Sequence, residues 1–264
     1  MNSTVQLATI ELRVPNLERS VEFYARRLGF VVTEQVAGRA ELAVAGEHAP
    51  LLTLSESRNA GHPPRDAAGL FHAALLFPSR AALGGWLKLP AAQGVDFEGF
   101  SDHGVSEAIY LSDPDGNGLE FYADRAREAW PFAENGEVAM VTRPLALRNL
   151  LASADAPSDT PLVGAHWGHL HLRVTNLARS EAFYCEKLGL EVMQRSYPGA
   201  RFLAADGYHH HLGLNTWGNP RLPQPDAALG LAQATFVRAG AGSEETLIDP
   251  DGIHLRVQPA LVPA

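Results

Sequence analysis

Cysteine occurs once in 264 residues, as Cys185, so no disulfide framework within the chain holds this fold together. No run of about 18 apolar residues is present, which argues against an ordinary membrane-spanning helix. Positive charge is scarce. Lys and Arg number 21 against 30 Asp and Glu, a formal net charge of −9, and the basic residues form no cluster. A nucleic-acid partner would need a positive face to neutralise phosphates, so that class is not expected. The opening stretch, MNSTVQLATIELRV, lacks the basic and apolar regions of a secretory signal. The expectation is a cytoplasmic protein that binds neither membrane nor nucleic acid. Homo-oligomerisation is left open.

What the chain does contain is a repeat. Glu11–Phe30 reads ELRVPNLERSVEFYARRLGF and His171–Leu190 reads HLRVTNLARSEAFYCEKLGL; 11 of 20 positions match without a gap at an offset of 160. A long self-match at fixed offset marks duplicated structural units. Two residues before each copy the chain differs: Thr9 in the first, His169 in the second.

The same grammar can be followed along the whole chain. A strand over Leu7–Val14 leads to Asn16, a helix cap, and then to Leu17, Val21, Tyr24 and Leu28 at helical spacing, with Gly29 as the stop. Short strands follow at Val31–Gln35, Ala40–Val44 and Leu51–Leu54. After a polar loop, a second unit has a strand at Leu70–Phe77 and a helix from Ser79 to about Gln93. Strands near Val95–Glu98, Ala108–Leu111 and Leu119–Tyr122 complete it, with a DPDG turn at Asp113–Gly116. A third unit runs through strands His166–Val174, Leu190–Arg195, Ala200–Ala204 and His210–Thr216, with a helix at Leu177–Leu188. A fourth has strands at Leu229–Arg238, Thr246–Ile248 and Ile253–Gln258 but no helix. This predicts an α+β fold of four βαβββ-type units, the fourth truncated, whose paired curved mixed sheets surround a cleft. The expected division is a first domain at 1–126 (units 7–56 and 69–124), a linker at 127–160 with a short helix over Pro144–Ala152, and a second domain at 161–264 (unit 166–217 and truncated unit 228–259).

SVEFYARRLGF, the DPDGNGLEFY segment at Asp113–Tyr122 and the period of about sixty residues together resemble the vicinal oxygen chelate superfamily. That group includes glyoxalase I, bleomycin-resistance proteins and type I extradiol dioxygenases. HGVSEAIYLSDPDGNGLEFY (His103–Tyr122) and GYHHHLGLNTW (Gly207–Trp217) are similar to the extradiol branch, in particular to small catechol 2,3-dioxygenase-like two-domain members. The resemblance implies two His and one carboxylate on Fe(II), in some members Mn(II), with open positions for a diol and O2. One His comes from the first strand of one unit. The other His and the Glu come from the first and last strands of its partner unit. The second unit offers His72 and Glu120. The remaining role falls to Thr9 in the first unit and to His169 in the third. The fourth offers Gln233 and Arg256, and a cationic Arg cannot ligate a metal. Only crossing the second unit with the third assembles a triad, His72, Glu120 and His169. The first and fourth units then form a half without a site.

The resemblance also implies acid–base or hydrogen-bonding roles for His210, His103 and Tyr110. Strand alternation would turn His209 and His211 away from the cleft, with the register of the three histidines left open. His171 is read as structural. His48, His62, His166 and His254 are read as loop or surface residues, and Cys185 as helix packing. Trp86, Trp217, Phe100 and Tyr197 are candidates for an aromatic lining. The implied activity is Fe(II)-dependent extradiol cleavage of a small aromatic diol by O2, a step of aromatic catabolism. Two alternatives share the fold: a glyoxalase-like isomerase or lyase, for which His210 would be a fourth ligand, and a metal-free drug-binding protein.

Overall fold

The computed structural model describes residues 4–154, 156 and 158–260. In the first unit β1 (Val5–Val14) leads to Asn16, whose side-chain oxygen accepts from Arg19 N and caps α1 (Leu17–Glu22). The helix continues over Phe23–Leu28 with the wider π winding, not the plain α-helix the spacing predicts, and ends at Gly29 with φ 96°. In the wider turn the consecutive Phe23 and Tyr24 are both buried, whereas the matching Phe183 of the third unit is only half-buried. Strands β2 (Val31–Val36), β3 (Arg39–Ala43) and β4 (Leu52–Glu56) complete the unit.

The second unit is β5 (Gly69–Leu76), α2 (Arg80–Ala92), β6 (Gly99–Asp102), β7 (Ser106–Ser112) and β8 (Gly118–Asp124). The strand expected at Val95–Glu98 starts later because Val95 N still bonds Pro90 O at the helix end; the first sheet bond is Glu98 N to Tyr110 O. In the connection, β9 (Arg143–Pro144) precedes α3 (Leu147–Ala152), so the short helix starts after Pro144 and not at it. Residues 155 and 157 of the expected linker lie outside the described residues. The third unit is β10 (His166–Arg173), α4 (Leu177–Leu188), β11 (Glu191–Gln194), β12 (Ala200–Ala204) and β13 (Leu212–Asn215). The fourth is β14 (Gly230–Arg238), β15 (Glu245–Ile248) and β16 (His254–Pro259), without a helix.

These strands form two mixed sheets. One runs β15-β16-β14-β1-β4-β3-β2 and joins the fourth unit to the first; the other runs β11-β12-β13-β10-β5-β8-β7-β6-β9 and joins the third to the second. The joints are antiparallel: β1 on β14 (Ile10 opposite Ala234) and β10 on β5 (His171 opposite His72). One apolar core runs between the sheets and helices, with Ile10 and Phe236 from one sheet and Leu75, Trp167 and Leu170 from the other. Each such side chain fully removed from water contributes about 1.5–3 kcal/mol before entropy is set against it.

The repeated helix motif now has a physical explanation. Tyr24, in the π-wound continuation of α1, donates to Asp113 in the DPDG turn of the second unit, and Tyr184 of α4 donates to Asp249 in the DPDG turn of the fourth, each at 2.9 Å. Both aspartates also accept two backbone N–H groups from their own turns. Helix–turn contacts therefore tie the first unit to the second and the third to the fourth, while the sheets tie the second to the third and the first to the fourth.

Candidate metal centre and cleft

The third-to-second joint brings three donors together. β5 lies between β10 and β8. His72 comes from β5, Glu120 from β8 and His169 from β10. Ala74 stands in register with both His169 and Glu120. Its small side chain, on the same face of β5 as His72, leaves room for all three longer ones. One ligand atom from each of His72, Glu120 and His169 lies within 4.8 Å of the other two. Exposure is 7% for His72, 3% for Glu120 and 2% for His169. By contrast Thr9, the equivalent of His169, donates to Pro50 O.

The contacts within this trio suit a cation. Glu120 Oε2 lies 2.9 Å from His72 Nε2 and 3.2 Å from His169 Nε2. Two donors at right angles on one ion, with bonds of about 2.1 Å, would stand about 3 Å apart. His72 Nε2 is buried and makes no hydrogen bond despite its distance from the carboxylate. It sits beside Glu120 without being oriented as its hydrogen-bond donor. Burial pushes the Glu120 carboxyl up, but the His169 and His72 imidazoles together outweigh it and hold Glu120 well below the usual carboxylate range. Burial lowers His169 to about 4, so it is neutral with a free lone pair near pH 7.

His72 and Glu120 line a cleft of about 460 Å³, whose aromatic walls include Phe71, Tyr197, Phe202 and Trp217. Two of the four expected aromatics are therefore in place. Trp86 is not: it stacks on Phe121 at 4.0 Å, and its indole N–H donates to Leu28 O in the core. Phe100 packs against Phe97. His171, read as structural, lines the cleft, buried, with its ring 4.9 Å from that of His72. Its opposite number on β13 is Gly213, where a Cβ would come within 2.7 Å of the imidazole. The signal was present in the sequence, since His169 and His171 share one strand face.

His103 and Tyr110 meet beside the centre. His103 Nδ1 donates to Val141 O at 2.7 Å, which leaves Nε2 to accept from the Tyr110 hydroxyl at 2.7 Å. Burial and the neighbouring Glu120 charge raise Tyr110, so its phenol is protonated at neutral pH. Tyr110 stands directly across from Glu120 on the neighbouring strand.

The histidine run corrects one expectation. Residues 209–211 precede β13, whose first residue is Leu212, so strand alternation does not sort them. The chain turns at Asp206 and Gly207, both at positive φ, and all three histidines are buried. His210 lines the cleft. Behind it His209 Nε2 donates to Asp124 Oδ1 at 2.9 Å, leaving His209 Nδ1 to accept from His210 Nδ1 at 2.7 Å. His210 Nε2 is then left with its lone pair. Tyr122 reaches the same Asp124 through Tyr208. Asp124 is two strand steps from Glu120 on the same face, which the alternation of β8 could have revealed.

Burial depresses four histidines in this region. His169 and His211 fall to about 4, and His171 and His210 lie well below the ordinary value. Above about pH 6.5 both the folded and the unfolded chain keep them neutral. Below it the unfolded chain takes up protons that the folded chain cannot. The metal-free protein is therefore expected to lose stability as pH falls from about 6.5 to about 4, by on the order of 3 kcal/mol for each of His169 and His211. Urea midpoints across that range measure this, and a flat profile would contradict it.

Comparison with known proteins agrees with this architecture. The family model for the Glyoxalase/Bleomycin resistance protein/Dioxygenase superfamily matches residues 6–121 and 166–256. A Bacillus subtilis (strain 168) protein named catechol-2,3-dioxygenase is 41% identical over 237 residues, 86% of this chain and 80% of the relative. A solved Bacillus subtilis structure aligns with a TM-score of 0.66 at 12% identity, covering 98% of this chain and 86% of that one. Glyoxalase I from Zea mays aligns at 0.57 and 16% identity, covering 97% and 92%. At such identities the two structures speak for the fold alone.

Proposed function

The chain belongs to the Glyoxalase/Bleomycin resistance protein/Dioxygenase superfamily, and from that premise we propose that it is an Fe(II)-dependent extradiol dioxygenase acting on a catechol-type diol. The observation that carries the reading is the donor count. Among the described residues, His72, Glu120 and His169 form the one convergent group of three. An isomerase of the glyoxalase kind would call for a fourth protein donor, and a metal-free binding protein would have no need of a buried carboxylate between two imidazoles. The 41% identity to a protein named catechol-2,3-dioxygenase supports the same choice.

In this reading His72, Glu120 and His169 hold the iron. Fe(II) bound there would supply open positions for the diol and O2 and a route for electrons from the ring to oxygen. The other residues handle protons and position. The neutral His210 Nε2, held in its tautomer by the Asp124–His209 chain, takes a proton from a diol hydroxyl and can return it later. Tyr110, whose proton is held by His103 Nε2, presents its oxygen as acceptor to a substrate hydroxyl. Phe71, Phe202 and Trp217 hold the ring and exclude water. The net reaction breaks one ring carbon–carbon bond beside the diol and places both O2 atoms in the product.

Anaerobic loading with Fe(II), then catechol and O2, is expected to yield a yellow ring-opened product with one O2 consumed per diol. A protein that binds one iron yet opens no catechol of a broad panel would overturn the reading. Loading with Mn(II) in parallel tests the metal's identity.

A further inference from the structure

The cleft does not end at its aromatic wall. A second hollow of about 430 Å³ adjoins it, and the two share Leu70, Gly116 and Arg173 as lining. Arg173 is the last residue of β10, on the same face as His169 and His171. It stands four residues from His169, roughly 13 Å along an extended strand.

The duplication supplies an internal control for this arginine. Its counterpart Arg13, at the same place in the repeat, is engaged: Nη1 donates to Asp226 O at 2.8 Å and to Ala228 O at 2.9 Å. Arg173 has no such role. Its Nε is buried without a hydrogen-bond partner, and the guanidinium makes no hydrogen bond or ion pair among the described residues. The acids lining the two hollows do not supply one. Glu120 is held by two histidines, Glu98 accepts from Ser112, and Asp115 pairs with Arg19. A cation left partly buried and unpaired at the junction of two cavities lacks an anion. The anion that matches a planar guanidinium fork is a carboxylate or a similar oxyanion.

We infer that Arg173 is an anion subsite, and that the preferred substrate is a catechol carrying a carboxylate on a short side chain. The inference rests on the extradiol reading for the diol end and on the cavity geometry for the acid end. The ring would occupy the aromatic cleft and its chain would pass Leu70, so that the carboxylate meets Arg173.

The test uses two catechols with the same carboxyalkyl chain, one ending in the acid and the other in its primary amide. The iron-loaded full chain is assayed for kcat/KM, and anaerobic binding is followed by tryptophan fluorescence. Wild type is expected to favour the acid by roughly 10- to 100-fold, the value of one charge-assisted pair. In Arg173→Gln the acid-to-amide ratio is expected to fall close to one, chiefly through KM, and Arg173→Lys is expected to restore part of it. A purely structural role would lower both substrates together and leave the ratio unmoved. Equal use of acid and amide by wild type, or an unchanged ratio in Arg173→Gln, overturns the subsite and leaves the ring-opening reaction standing. Tighter binding of the acid through Arg173 with neither ring opened upholds the subsite and overturns the reaction.

Discussion

Glu120→Gln is expected to remove the metal and the ring-opening activity together while leaving the fold in place. The substitution keeps the shape of the side chain and deletes its charge. Glu120 is buried, only 3% exposed. Two imidazoles carry no negative charge to offset the cost of stripping water from a divalent cation there, and the carboxylate is the one anion in the trio. Loss of a residue that only orients a metal ligand already costs about 10- to 100-fold in affinity; loss of the anionic ligand itself should exceed that. The measurement is iron per chain after anaerobic loading and desalting, set beside product formation and the circular dichroism of the same sample. A Gln variant that retained one iron at wild-type affinity would remove Glu120 from the centre. His72→Ala and His169→Ala should behave in the same way.

The second large effect is expected from His210→Asn, and it should differ in kind. Iron content should stay at the wild-type level while kcat falls by about 10²- to 10⁴-fold, the usual worth of a positioned acid–base group. His210 lines the cleft and is not part of the convergent trio. Its free nitrogen is defined by two hydrogen bonds running back to a carboxylate. If the variant instead lost its iron, His210 would be a fourth ligand, and the isomerase or lyase reading would gain accordingly. Metal content therefore separates the two roles in one experiment.

How far the sequence goes depends on which physical signal each feature uses. The four-unit plan is written in local signals: Asn caps at 16 and 176, glycine stops at 29 and 189, and DPDG turns at 113 and 249. Those survive folding because each is satisfied within a few residues. The pairing of units is written only in residue identity, through the contrast of Thr9 with His169 and of Glu120 with Arg256. The sheets do join the second unit to the third, and the three donors do lie together. The histidine run was not legible in the same way. Counting strand parity through residues 209–211 fails because two positive-φ residues turn the chain before the strand begins. The roles of Asp124, Tyr208 and Arg173 depend on partners supplied, or withheld, by distant segments. Trp86 illustrates the reverse error, since an aromatic on a helix serves the core as readily as a pocket.

The joint between β1 and β14 has a consequence for how the molecule comes into being. β1 lies inside its sheet, flanked by β4 on one side and by β14 on the other. Its partner on that second side lies far along the chain, with Leu7 paired to Phe236, so the neighbours meet only after everything between them has been synthesised. A sheet closed by strands so distant in sequence carries a high contact order and should form late and slowly. Until then β1 presents an open edge with apolar Ile10, Leu12 and Val14 close by, the kind of edge that recruits other chains. The second sheet is completed by units that follow one another in the chain, so the half that holds the proposed metal site can be assembled before the half that does not.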